Sequence, residues 1–172
     1  DYPETMLGVM RDMFPNWGAN VAVGNSIMPI VQAQVMGGGT VINSAIMVRT
    51  PDDVIAEWAA DHGLGDLLDA RSMGTALDRI ADELHVGDSR ADSGPERFGK
   101  SNQTLLDGLR AAGMDVHPTL RNVRGCVGST RCLQGCRHGA KQSSNIGWIP
   151  ELLRRGGTVL SCAPTRRVQV RG

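Results

Sequence analysis

Two sets of residues have the types and spacings to do chemistry. The first is Gly37-Gly38-Gly39-Thr40, with Asn43 three residues on. Three consecutive glycines remove every β-carbon from one bend, so the backbone can take positive φ and lie against a bound group, a phosphate or a flat ring. Val41, Ile42, Ala45, Ile46 and Val48 surround these polar groups with apolar bulk, the usual make-up of a ligand pocket. The second set is Cys126, Cys132 and Cys136, with His138 two residues beyond. Three thiolates and an imidazole could hold zinc as a Cys3His site; the same loop could instead carry buried thiols or one disulfide for structure alone. Cys162 stands apart and is expected in the core, on a strand. His85, His117 and His138 are isolated in sequence, so none is assigned a catalytic role.

Periodicity supplies the elements that must position these sets. Met6, Leu7, Met10, Met13 and Phe14 predict an amphipathic helix over 4–14, ended by Pro15 and Gly18. Val21, Val23, Ile27, Ile30 and Val31, with Pro29 among them, predict two short extended segments leading into the bend. Beyond it, Thr50 is expected as an N-cap, Pro51 at the first helical position and Asp53 closing a capping box. Val54, Ile55, Trp58 and Ala59 form the buried stripe of that helix, and Gly63 stops it. Ala70, Met73, Leu77, Ile80 and Leu84 predict a second helix over 66–85. Polar residues 87–99 read as a surface loop. A third helix is expected over 102–112 with Leu105, Leu106 and Leu109 inward, and a last one over 144–155, ended by Gly156-Gly157. Two short strands, 159–160 and 168–170, complete an α+β piece in which helices surround short strands.

Composition narrows the classes. A chain of 172 residues can bury one ordinary core. Its 18 basic and 18 acidic residues cancel, which removes the electrostatic case for nucleic acid or an anionic membrane surface. No apolar run approaches the ~18 residues of a membrane span. No targeting signal is visible in the first residues, and the beginning reads as internal to a longer polypeptide; a cytoplasmic location is expected, with the periplasm as the alternative. With 22 glycines and only 3% aromatic residues, the composition suits a loop-rich piece that wraps around something else.

The segment Met36 to Ala45, followed by Arg49-Thr50-Pro51, resembles the first signature of the glucose-methanol-choline (GMC) family of FAD-dependent oxidoreductases. A second block, Arg121-Asn122 through Gly125-Cys126, Cys132, Gly135-Cys136 and Gly139-Ala140-Lys141-Gln142-Ser143, resembles the cysteine-containing segment of that family's bacterial alcohol dehydrogenase branch. The resemblance implies an α/β flavoenzyme with FAD-binding and substrate domains. Residues 1–50 would be an FAD-contacting segment, 51–120 a helical substrate-side region, and 121–172 a cysteine-containing segment returning to the FAD domain. It places Gly37, Gly38, Gly39 and Thr40 near the FAD phosphates, Asn43, Ser44 and Ala45 near the ring, and Thr165 at the adenine. Gln34 stands where many members carry Arg or Lys. Ile42 stands where some members attach FAD through a histidine, so non-covalent FAD is implied.

The implied reaction is oxidation of a small-molecule alcohol to a carbonyl compound by hydride transfer to flavin. The family's G-x-G-x-x-G turn and the segment bearing its catalytic histidine are not found in these residues. No catalytic residue is therefore assigned, and other segments or subunits of the same flavoenzyme are expected as partners, without nucleic acid or a membrane span. Some members hold a three-iron cluster on a similar cysteine segment, which gives an alternative reading as an electron-transfer region carrying an iron–sulfur cluster on Cys126, Cys132 and Cys136. A non-catalytic truncated remnant is the third reading.

Overall fold

A computed structural model describes residues 2–65, 69–88, 90 and 94–170. Helix α1 (Met6–Met13) opens the chain, capped by Thr5, whose hydroxyl accepts the Gly8 N–H at 3.1 Å. Its inward face carries Val9 and Met13, which pack on Val41 and Ile42 with Tyr2, Phe14, Ala33 and Val35 around them. A helix only eight residues long is marginal by itself, so this contact is what holds α1 in place. The two extended segments form an antiparallel hairpin, β1 (Val21–Val23) with β2 (Ile27–Pro29), in the register Val21↔Pro29 and Val23↔Ile27.

The glycine bend leads into a single helical turn, α2 (Gly39–Ile42). Helix α3 (Asp52–Asp61) starts one residue later than the sequence suggests. Pro51 is its N-cap with no side-chain cap, and Asp52 and Asp53 supply the negative charge that favours a helix N-terminus. Trp58 is not core: it is 42% exposed, and Ile55 carries the buried face instead. Helix α4 (Ala70–Glu83) is capped by Asp69, which accepts the Ser72 N–H; the expected start at 66 lies outside the described residues. Residues 87–99 are not simply a loop, because β3 (Val86–Asp88) and the short α5 (Pro95–Phe98) fall within or against them. Helix α6 (Lys100–Ala111) follows, then β4 (Leu120–Asn122) and finally α7 (Trp148–Arg154), which begins four residues after the expected point.

Strand β4 is the structural hub. One edge pairs antiparallel with β3, Gly87 opposite Arg121. Along its other edge run two distant segments. Asn122 divides its backbone between them, donating its N–H to Ala45 O at 3.1 Å and accepting the Gln142 N–H at 2.9 Å. Met47 N to Leu120 O (2.9 Å) and Arg124 N to Ala140 O (2.8 Å) extend the two pairings. The segment after the glycine bend and the segment after the cysteine loop are thereby joined through β4.

The end of the chain corrects two expectations. Residues 159–160 and 168–170 form no strands; every residue of 160–170 except those of the turn at Ser161–Cys162 is extended or irregular, and 161–170 are all exposed. Cys162 is exposed rather than core and takes φ +53°. Alternating apolar residues make a strand only where a neighbour accepts the backbone hydrogen bonds, and no such neighbour is present among the described residues.

The surface tells the same story. The accessible area is 12535 Å², whereas a compact monomer of 18.4 kDa exposes about 8200 Å². Val23 is 79% exposed and Ile27 73%, in a hairpin whose six strand residues are all exposed. An apolar two-stranded ribbon of this kind is unstable in water and invites pairing. The chain by itself is therefore expected to bind an apolar dye such as anilinonaphthalene sulfonate and to self-associate, and Val23→Glu with Ile27→Lys should reduce both. A monomer in sedimentation with no dye binding and a sharp cooperative melt contradicts this reading.

Candidate functional site

The bend at 37–39 divides its glycines between two jobs. Gly37 has φ +97°, and a β-carbon there would lie 2.7 Å from Val41 Cγ2 and 3.1 Å from the backbone nitrogen of Asn145. This glycine lets the bend pack tightly inward. Gly38, at φ +59°, and Gly39 instead face open space, with nothing within 4 Å of a β-carbon on either. The N–H groups of Gly39 and Thr40, the first two of α2, have no acceptor among the described residues. Thr40 closes the bend: its hydroxyl donates to Gly37 O at 2.6 Å and accepts the Ser144 N–H at 3.0 Å.

Behind the bend lies a residue that the sequence did not single out for a role. Lys141 is 1% exposed, and its ammonium donates to three backbone carbonyls: Val41 O at 2.6 Å, Asn43 O at 2.8 Å and Cys132 O at 2.8 Å. A cation this deep needs its donors satisfied, and here the three acceptors come from the two segments that must be held together. Burial pulls the Lys141 pKa from 10.5 to about 8, against an upward pull from Cys132 and Cys136 and a smaller downward one from Arg121. At neutral pH it is predominantly the ammonium.

The residues next to the bend are fixed in turn. Asn43 Oδ1 accepts the Ala45 N–H at 3.0 Å, which holds fully buried Ala45 in the left-handed region at φ +62°. A non-glycine residue there is strained by about 1 kcal/mol, so this conformation persists because its surroundings impose it. Arg121 Nη2 donates to Ser44 O at 3.0 Å and to Cys132 Sγ at 2.9 Å. The amino-terminal residues clamp the outside: Asn145 Nδ2 donates to the Tyr2 hydroxyl at 2.8 Å, and Arg131 Nη1 to Glu4 O at 2.9 Å.

Gly37, Gly38, Gly39, Thr40, Asn43, Ser44 and Ala45 are thus brought to one corner. Thr165 is not: it lies in the exposed 161–170 segment, and among the described residues no hydrogen bond joins it to the bend. Cys126, Cys132 and Cys136 line one recess with His138 and Lys141. No group of three or more His, Cys, Asp or Glu side chains among the described residues is placed to hold a metal ion, and no disulfide links these cysteines. Cys132 serves the corner through its carbonyl and as an acceptor for Arg121, and Cys136 Sγ accepts the Lys141 N–H at 3.5 Å. The signal that could have found Lys141 is composition: it is one of two lysines in a chain that otherwise uses arginine, and it sits among Gly139, Ala140 and Ser143, small residues typical of tight packing.

An open backbone corner with unmet N–H donors, locked from behind by a buried cation, belongs to proteins that receive an anionic or flat group on main chain rather than on basic side chains. Comparison gives the family. The GMC oxidoreductase family model matches residues 10–172. An uncharacterized GMC-type oxidoreductase of Mycobacterium tuberculosis is 30% identical over 88% of this chain and 23% of its own length. A long-chain-alcohol oxidase of Arabidopsis thaliana is 25% identical over 94% of this chain and 21% of its own. An uncharacterized GMC-type oxidoreductase of Sinorhizobium fredii is 28% identical over 89% of this chain and 29% of its own. No solved structure matches. The chain belongs to the GMC oxidoreductase family, a family of flavoproteins, and spans less than a third of the length of these relatives. Among the described residues no helix is long and apolar enough to cross a membrane.

Family membership implies FAD, and the corner fits such a group on its own features. It offers two unmet backbone donors and an open face that any β-carbon on Gly38 or Gly39 would begin to fill.

Lys141→Met should lower stability by about 3 kcal/mol, roughly 1 for each carbonyl left without a donor. The lysine also imposes a pH signature. Its folded pKa lies below its unfolded one, so taking the charge out of water carries a cost that is absent above pH 10.5 and fully incurred once pH has fallen through about 8; the destabilisation by Lys141→Met is therefore largest near pH 11 and smallest at pH 7. Chemical denaturation of wild type and Lys141→Met between pH 7 and 11 should give curves whose difference changes across that window; parallel curves count against the assignment.

Proposed function

We propose that this chain is the cofactor-contacting part of an FAD-dependent oxidoreductase that oxidises the CH–OH group of an alcohol to a carbonyl. The observation that carries the proposal is the open Gly38–Gly39 face with its unmet N–H groups, set in a chain of this family. The Gly39 and Thr40 N–H groups, left without an acceptor among the described residues, would hold the FAD pyrophosphate on main chain. Gly38 has no side chain to stand in the way. Asn43, Ser44 and Ala45 lie along the flavin ring, kept in one conformation by the Asn43–Ala45 bond and by Arg121. Ile42 is apolar and buried and offers no nucleophile, so the FAD is held without a covalent link.

When bound, FAD supplies the acceptor for the hydride that leaves the alcohol carbon. The hydroxyl proton leaves separately, to a base that is not assigned to any residue of this chain. What these residues contribute is rigidity: a fixed surface against which donor carbon and acceptor can be aligned. The relatives include long-chain-alcohol oxidases, and a primary alcohol with an alkyl tail is the substrate class favoured here. The exposed hairpin and the tail after α7 pack against the remaining segments of the flavoenzyme, which gives their apolar residues the partners they lack.

Gly39→Val tests the cofactor assignment directly. It puts a branched side chain into the open face, where a β-carbon on Gly39 has nothing within 4 Å. In the complete protein, flavin recovered per polypeptide after gel filtration should fall at least tenfold, while the far-ultraviolet dichroism of the apoprotein stays that of wild type. Full flavin content in this variant contradicts the assignment.

A further inference from the structure

A groove of about 620 Å³ opens immediately beside Ser44, within the range of ligand pockets. It is outside the set of residues discussed for the cofactor, yet it shares two of the corner's members. Ser44 and Arg121 line it together with an apolar stripe, Phe98 from α5, Leu105, Leu106 and Leu109 from α6, and Leu133 from the cysteine loop, while Arg97, Asn102, His117, Thr119 and Thr130 add polar groups to the lining. The geometry of α6 explains this stripe. Positions 105, 106 and 109 are spaced by one, three and four residues, so they share one helical face, and that face turns towards the groove rather than into a core. Only Leu106 of the three is buried; Leu105 is 61% exposed and Leu133 50%.

Arg121 donates to Ser44 O and to Cys132 Sγ, so its guanidinium is held as part of the wall and braces Ser44. The leucine face itself offers a ligand no polar partner, so along that face an uncharged chain is favoured over a charged one. Placed against Ser44, the reacting end of such a ligand lies next to the segment assigned to the flavin ring. We infer that this groove is the subsite for the alkyl tail of the substrate, and that Leu105, Leu109 and Leu133 set the preferred chain length. The inference rests on the alcohol-oxidising reading for the identity of the head group, and on the groove itself for the tail.

Each methylene moved from water into such a groove strengthens binding about fourfold, so four methylenes give a preference on the order of 10². The experiment compares butan-1-ol with octan-1-ol on the complete flavoprotein, by kcat/KM and by calorimetric Kd. Wild type should favour octan-1-ol on the order of 10². Leu105→Trp with Leu133→Trp, both at exposed positions where bulk is tolerated, should reduce that ratio at least tenfold, through a larger fall for octan-1-ol than for butan-1-ol. Leu109→Asn, which makes the lining polar without filling it, should reduce it in the same direction. The inference is overturned if the ratio survives these changes or if wild type fails to bind octan-1-ol. It is equally overturned if both alcohols weaken together, as they do when the groove is covered by another part of the polypeptide. Should wild type turn over no alcohol at all, the reaction assignment fails, and the calorimetric ratio still decides the groove.

Discussion

One buried ammonium holds the functional corner together. Lys141 meets carbonyls of Val41 and Asn43 in the glycine-bend segment and of Cys132 in the cysteine loop, two segments that lie far apart in sequence. A positive charge removed from water loses its hydration, and the loss is offset only if every donor finds an acceptor. That requirement makes the arrangement specific. A leucine in the same place could fill the volume but could not choose which carbonyls to gather, whereas the ammonium leaves the glycine bend and the cysteine loop one arrangement in which its donors are satisfied.

The rest of the corner follows from that constraint. With residues 41–43 and 132 fixed, β4 can lie between the segments on either side, and Asn122 can bond to Ala45 and Gln142 at once. Ala45 is then kept in a left-handed conformation, and the Thr40 hydroxyl reaches Ser144. The inner side of the bend is consumed by these contacts, with Gly37 packed on Val41 and Asn145. Its outer side is left with bare backbone and unmet N–H groups. Stabilisation from behind and availability in front are two consequences of one geometry. Cys132 and Cys136 take part in it as acceptor groups.

Much of this was legible in the sequence because its cause is local. A run of three glycines, Thr40 three residues after Gly37, and Asn43 two before Ala45 each act within one turn of chain, and each adopts the arrangement its chemistry favours. The two extended segments of the hairpin and the helices α1, α3, α4 and α6 were readable from spacing for the same reason. What escaped was decided at a distance. Lys141 reads as an ordinary surface lysine until the carbonyls around it are known. Trp58 has the spacing of a core residue, but the partner that would cover it is missing among the described residues. Val159, Leu160, Val168 and Val170 alternate as a strand should, and remain irregular because nothing pairs with them. The shift of the α3 cap from Thr50 to Pro51 is of another kind: Pro51 has φ −62° and ψ +148°, still extended, so the helix begins only at Asp52.

The measurement that bears most directly on this account is the FAD dissociation constant of the complete protein and of its Lys141→Met variant, titrated at pH 7 under conditions where dichroism shows both to be folded. If the buried ammonium positions the bend, the variant should bind FAD at least tenfold more weakly, a change of about 1.4 kcal/mol. Equal affinity in a folded variant would mean that the glycine bend keeps its form without Lys141, and the central role given to that residue would be wrong.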